Sequence, residues 1–146
     1  MGLKLGIKRD ATDKAFSDAI REAANYVCQR CSLDFRHNPG GFDCSHVKSR
    51  KYVSCRFFEK NALALCRSCH TKMAESPAEH IELYIRIWGE EGYQELLDHY
   101  NRTDIRLRKA DKLAIRKHWQ GELERMRLMR MQGKQGVIEL IGWDYK

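Results

Sequence analysis

The sequence predicts an α+β fold that is mostly helical. Three observations carry that prediction. Long stretches repeat apolar residues at three- and four-residue spacing, two short runs read as strands, and one Cys-x-x-Cys turn precedes that pair of runs while another closes it. At 146 residues the chain is long enough for one modest core. Its architecture reads as an N-terminal helix, a core over residues 28–75 and C-terminal helices, one of them long and basic. Residues 1–101 form the first unit and residues 102–146 a basic helical extension.

The first element is a helix from about Thr12 to Tyr26, with Phe16, Ile20, Ala23, Ala24 and Val27 on its apolar face and Thr12 or Asp13 as its cap. It leads directly into Cys28-Gln-Arg-Cys31, and a turn-rich stretch follows to His37-Asn-Pro-Gly-Gly41. Phe42 to Val47 alternates apolar and polar residues and reads as a strand; Lys48 to Lys60 is a basic, aromatic loop. Asn61 to Cys66 is the second strand, and a helix begins near Ser68 and stops before Pro77. Ser76-Pro-Ala-Glu79 then has the pattern of a helix start, with Ser76 as cap, Pro77 in the first turn and Glu79 completing a capping box. That helix buries Ile81, Tyr84, Ile85 and Trp88 and ends at Gly89, before a short helix from Tyr93 to Tyr100. A long charged helix is expected from Thr103 to about Gln132, followed by a tail in which Val137 to Ile141 is a strand or packing segment.

The net charge is +7, and residues 102–134 hold nearly all the excess, with 11 Lys and Arg against 4 Asp and Glu. Such a segment favours a polyanion, and nucleic acid is the commonest one in a cytosol. No apolar run approaches membrane-spanning length. The start, Met1 to Asp10, lacks the apolar run of a signal peptide, and Gly6 stands where a myristoylation signal has Ser or Thr. A cytoplasmic setting with no membrane partner is therefore expected. There, paired cysteines are more often metal ligands than disulfides.

Cys28-x-x-Cys31 and Cys66-x-x-Cys69 are separated by 34 residues. Each turn places two thiolates on one side of a tetrahedron, so the pair predicts a closed, structural Zn2+ site. Such a site supplies on the order of 10 kcal/mol to folding. Cys44 and Cys55 are left over as small apolar residues, with Cys44 near enough in sequence to replace one of the four.

Between and beside the two turns lie His46, Asn61 and His70. The run Phe42-Asp-Cys-Ser-His46, followed by Asn61-x-x-x-Leu65-Cys-x-x-Cys-His70, resembles the ββα-metal motif of the HNH (His-Asn-His) endonucleases over residues 28–75. A narrower resemblance is to the NinG/Rap recombination nucleases of lambdoid phages. It rests on His46-Val-Lys-Ser-Arg50, Arg56-Phe-Phe-Glu-Lys-Asn61, Gly89 and Leu97, and extends the match from Lys8 to Leu97. The resemblance implies that residues 1–101 are a nuclease domain. In it His46, with a pKa of ~6.5, takes a proton from water. Asn61 holds the loop and the imidazole in register, and His70 ligates a catalytic Mg2+ or Mn2+. HNH enzymes carry an Asp or His just before the base, where this chain has Ser45. Asp43 and Glu59 are the alternative ligands, and the NinG-like group also tends to a small residue there.

Lys48, Arg50, Lys51 and Arg56 cluster in the loop that borders this site, and Arg106, Arg108, Lys109, Lys112, Arg116 and Lys117 project around the basic helix. Their scatter suits phosphate contact with duplex or branched DNA better than base reading. The apolar positions of the same helix make it a candidate homodimer surface. The pattern also admits a zinc-stabilised DNA-binding module without catalysis, or a sequence-specific nuclease of the restriction or homing kind.

Overall fold

A computed structural model describes residues 8–145. The reading of the N-terminal segment falls largely on residues 1–7, outside the described range. Within it, the elements run α1 (Ala11–Ala23), β1 (Phe42–His46), β2 (Ala62–Cys66), α2 (Arg67–Glu75), α3 (Pro77–Tyr100) and α4 (Lys109–Met131). No helix among the described residues is long and apolar enough to cross a membrane.

Helix α1 starts one turn's worth of capping earlier than expected. Asp10, not Thr12 or Asp13, is the cap: its carboxylate accepts from the N–H groups of Thr12 and Asp13, while Asp13 accepts from the N–H of Asp10 at 2.8 Å. Two acids three residues apart satisfy more orphan donors than Thr12 alone could. The helix ends where Asn25 and Tyr26 take left-handed conformations, with φ of 56° and 57°. Between these ends it is buried on nearly every side, through Ala15, Phe16, Ala19, Ile20 and Ala23.

Strands β1 and β2 pair antiparallel, from Phe42 opposite Cys66 to His46 opposite Ala62. Every residue of β2 is buried. Helix α2 leaves β2 without a loop, its first turn capped by Cys66, so β1, β2 and α2 run in the expected order. A single residue, Ser76, joins α2 to α3. Its N–H closes α2 on the Met73 carbonyl at 3.2 Å, and its side chain makes no cap bond. The expected capping box is thus absent: the joint fixes the Ser76 backbone (φ −134°, ψ 79°) for both helices, away from the usual capping geometry. Pro77 does stand in the first turn of α3. Helix α3 breaks at Gly89, whose φ of 76° favours a residue without Cβ. Its second leg resumes at once rather than at Tyr93.

Helix α4 begins six residues later than Thr103. Asp111 fixes that start by accepting from the Arg108 N–H at 2.9 Å and from Arg108 Nε at 3.1 Å. Its buried stripe is Ile115, Trp119, Glu122 and Met126. Leu113 lies off that stripe and is exposed. The stripe lies on α1, where the Trp119 ring meets Phe16 edge-on at 5.2 Å. Apolar residues that suggested a second chain are therefore largely used within this one, leaving Leu113, Leu128 and Met131 outside.

Among the described residues, the tail after Gly133 forms no strand. It packs back on α1: Ile138 is buried, and its N–H donates to the Ala23 carbonyl at 2.9 Å. Gly142 lies so close to the Glu59 carboxyl that a Cβ would collide with it. Glu22, 4% exposed, fastens the same region by accepting from Arg36 at 2.6 Å and Arg130 at 3.2 Å. Residues 102–145 thus share one hydrophobic core with the preceding part of the chain.

Trp119→Ala should cost about 3–5 kcal/mol, because it empties the α1–α4 contact. Leu128→Ala, at a position 57% exposed, should stay within about 0.5 kcal/mol. Urea denaturation of the two variants checks both.

Candidate active site and cysteine cluster

The sulfur atoms of Cys28, Cys31, Cys66 and Cys69 lie within 4.8 Å of one another. Cys31 Sγ and Cys66 Sγ are 3.9 Å apart. Four thiolates about 2.3 Å from one Zn2+ would be separated by about 3.8 Å. The cluster is therefore close enough to hold a single metal ion. Local backbone explains the convergence. Ser32, at φ 65°, closes the first turn, and its N–H donates to the Cys28 carbonyl at 2.9 Å. Gln29 then docks that turn on β2: its N–H donates to the Ala64 carbonyl at 2.9 Å, and its Oε1 accepts from the Ala64 N–H at 2.7 Å. Cys66 ends β2 and Cys69 sits in the first turn of α2. Arg30 Nη1 donates to Cys69 Sγ at 3.5 Å. Cys44 and Cys55 stand outside the cluster.

A cleft of about 540 Å³ opens between α1, β1 and α2. His46 and His70 both line it, with Asp43 and Cys44 from β1, Asp13, Ser17 and Arg21 from α1, and Arg9, Ser49, Arg50 and Arg67 around the rim. His46 Nε2 lies 3.2 Å from the Arg56 carbonyl. A carbonyl can only accept, so the neutral ring carries its proton on Nε2. Nδ1 keeps its lone pair and has no hydrogen-bond partner among the described residues. Burial pushes the pKa of this ring down to about 4, against the opposing pull of the Arg56 carbonyl. The sequence reading had taken the ordinary ~6.5.

Asn61 is fully buried at the end of the basic loop. Its Oδ1 accepts from the Lys48 N–H at 2.7 Å, and its Nδ2 donates to the carbonyls of Lys48 and Cys55 at 2.9 and 3.1 Å. It ties both ends of the loop together but does not bond the imidazole, which the Arg56 carbonyl holds instead. His70 Nδ1 is 3.0 Å from Asp43 Oδ2, and Arg67 grips the same carboxylate with Nε at 2.9 Å and Nη2 at 3.0 Å. Burial raises the Asp43 pKa, and these two partners more than reverse it, so the carboxylate sits below its usual range.

Of the three carboxylate or hydroxyl candidates, only Asp43 reaches His70. Ser45 is buried and its Oγ has no partner; it does not line the cleft. Glu59 lines a separate apolar pocket with Ile20, Trp88 and the tail, where burial raises its pKa. Ser45 shares its strand face with Asp43 yet is buried short of the cleft, and the turn before Asn61 carries Glu59 to the pocket beside the tail.

The basic residues divide. Lys48 Nζ lies over the Tyr100 ring at 4.5 Å and Lys51 Nζ over Tyr52 at 5.2 Å. Arg50 reaches the cleft, 3.7 Å from Asp13. Arg56 points inward and forks onto Asp13 at 2.9 and 2.6 Å, because a buried carboxylate on α1 attracts it more than solvent does. Arg106 and Arg108 precede α4 rather than lying on it; both are exposed, as are Lys109 and Lys117. Lys112 is paired with Asp10, and Arg116 is half-buried. Sequence reasoning missed Arg9, Arg21 and Arg67. The available signal was Asp13, Ser17 and Arg21 at four-residue intervals, a polar stripe along one face of the helix.

Because the folded His46 ring binds its proton near pH 4 and an unfolded one near 6.5, stability should fall as pH is lowered across that window. His80 and His99, also depressed by burial, add to the trend. Nuclear magnetic resonance titration should find the His46 ring neutral at pH 5.5, and urea midpoints should drop from pH 7 to pH 5.

No family model, curated protein or solved structure matches this chain.

Proposed function

We propose that the chain is a metal-dependent DNA endonuclease of the HNH kind, hydrolysing phosphodiester bonds with His46 as general base. One observation carries the reading. His46 and His70, 24 positions apart, reach the same arginine-lined cleft, while Asn61 between them secures the loop beside it.

The chemistry follows from these side chains. His46 offers a neutral Nδ1 to a water in the cleft. Burial makes it a weak base, yet keeps it unprotonated at neutral pH. His70 and Asp43 are the residues that would hold Mg2+ or Mn2+, which neutralises charge on the phosphate and acidifies bound water. Arg9, Arg21, Arg50 and Arg67 supply positive charge around the phosphate. The four thiolates hold Zn2+ as scaffold, with no ligand position left for water. They serve it only when reduced, which fits a cytoplasmic setting. Exposed Arg106, Arg108, Lys109 and Lys117 extend the contact along duplex or branched DNA, and a homodimer through α4 is part of the same proposal.

A second reading, a zinc-stabilised DNA-binding module without catalysis, is favoured by one observation: Arg67 already neutralises Asp43, and Ser45 is turned away.

Plasmid, linear duplex and three- and four-way junctions, each with Mg2+, Mn2+ or EDTA, separate these readings. Cleavage in metal and none in EDTA is expected, with one zinc per chain by elemental analysis. His46→Ala should lower cutting by about 10²-fold or more and leave DNA binding intact. Binding without cleavage of any substrate by the wild-type chain makes it the module, and a discrete pattern on linear duplex makes it a sequence-specific nuclease.

A further inference from the structure

The proton position on His46 depends on a backbone atom in a loop. The Arg56 carbonyl holds Nε2–H at 3.2 Å, and residues 47–58 contain no strand or helix that would fix that carbonyl. Asn61 ties the loop at Lys48 and Cys55, one residue short of it. The turn bond from the Arg56 N–H to the Tyr52 carbonyl at 3.1 Å and the buried Cys55 and Phe57 on either side hold the peptide, and the side chain of the same residue adds a hold of its own. Arg56 Nε and Nη2 fork onto the two oxygens of Asp13 at 2.9 and 2.6 Å, and Nη2 also donates to the Lys8 carbonyl at 3.3 Å.

Asp13 is itself immobile. It is 4% exposed, in the first turn of α1, and accepts from the Asp10 N–H at 2.8 Å. The Arg56 side chain is 12% exposed, so a phosphate could engage it only by breaking the fork. A planar guanidinium bound by two parallel hydrogen bonds has its orientation set as well as its position, which an ammonium would not.

We infer that Asp13 and Arg56 are positioning residues for the general base: their fork holds the Arg56 carbonyl where it locks His46 as the Nε2–H tautomer, with the Nδ1 lone pair free for the cleft. The inference rests on His46 being the base, as proposed above. Neither residue touches the substrate. Their part is that of a buried acid that keeps a catalytic imidazole in one tautomer, here exerted through an arginine and a peptide carbonyl.

The test uses the full chain with its zinc. Imidazole 15N spectra, taken without DNA, report the tautomer in the wild type, in Arg56→Lys and in Asp13→Asn. Circular dichroism confirms that each variant is folded, and Arg56→Lys covers the case in which loss of the α1 cap unfolds Asp13→Asn. The wild type should show the Nε2–H tautomer alone and the variants a mixture. On a cleaved substrate kcat should fall about 10²-fold with KM and the salt dependence of binding unchanged. Asp13→Glu, which can rebuild the fork, should recover part of the rate. Folded variants that keep the wild-type tautomer, or a rise in KM at constant kcat, overturn the inference while the nuclease reading stands. A wild-type chain that cuts nothing overturns both.

Discussion

Helix α1 is enclosed on almost every side, and the rest of the molecule is arranged around that enclosure. Its alanines let the hairpin and α4 approach closely, and Phe16 fills the space between the His46 ring, Phe57 and Trp119. Its C-terminal end delivers the chain into the first cysteine turn, and its first turn carries the acid that receives Arg56. Lys14, paired with Asp18, keeps a narrow polar edge in solvent, while Thr12, Asp13, Ser17 and Glu22 are buried with partners, and Asp13, Ser17 and Arg21 line the cleft.

The cleft is cationic by a simple arrangement of pairs. Its two carboxylates are each engaged by arginine, Asp13 by Arg56 and Asp43 by Arg67. Arg9 leans on the neutral Ser17 hydroxyl, and Arg21 is paired with Asp18 outside the lining. Field lines in such a concave, partly dry space favour a polyanion over a neutral ligand. The cysteine cluster stands immediately behind, since Cys69 and His70 are consecutive residues of α2. Whatever holds the sulfur atoms also fixes where that imidazole starts.

Local chemistry was legible in the sequence, and the direction of side chains was not. The Cys-x-x-Cys turns, both strands, Pro77 in the first turn of α3 and the break at Gly89 all announce themselves within a few residues, and the structure places them there. Arg56 did not, because its orientation is decided by Asp13, 43 positions earlier. Glu59 failed as a cleft residue because the turn before Asn61 carries it into the pocket beside the tail, and Ser45 because it is buried although it shares a strand face with Asp43. The α4 start was misplaced because Asp111, inside the helix, sets it. Ser76 lost its capping role because two helices share it. The Arg56 miss turns on a partner far along the chain, whereas the α4 start and the Ser76 joint are local and turn on which of several neighbouring residues takes the cap.

The tail illustrates how little regular structure says about freedom to vary. Residues 134–145 have neither helix nor strand, yet two of their positions are constrained by what they touch. Ile138 is buried on the end of α1, and Gly142 sits against the Glu59 carboxyl with no room for a Cβ. Substitution there is governed by contact, not by the rules of loops. In a collection of natural variants, position 138 would stay apolar, and a residue larger than glycine at 142 would appear only where the Glu59 side chain swings aside. Their neighbour Val137, 69% exposed, would drift. The pattern would trace the path of the tail across the core as an alternation of fixed and free letters.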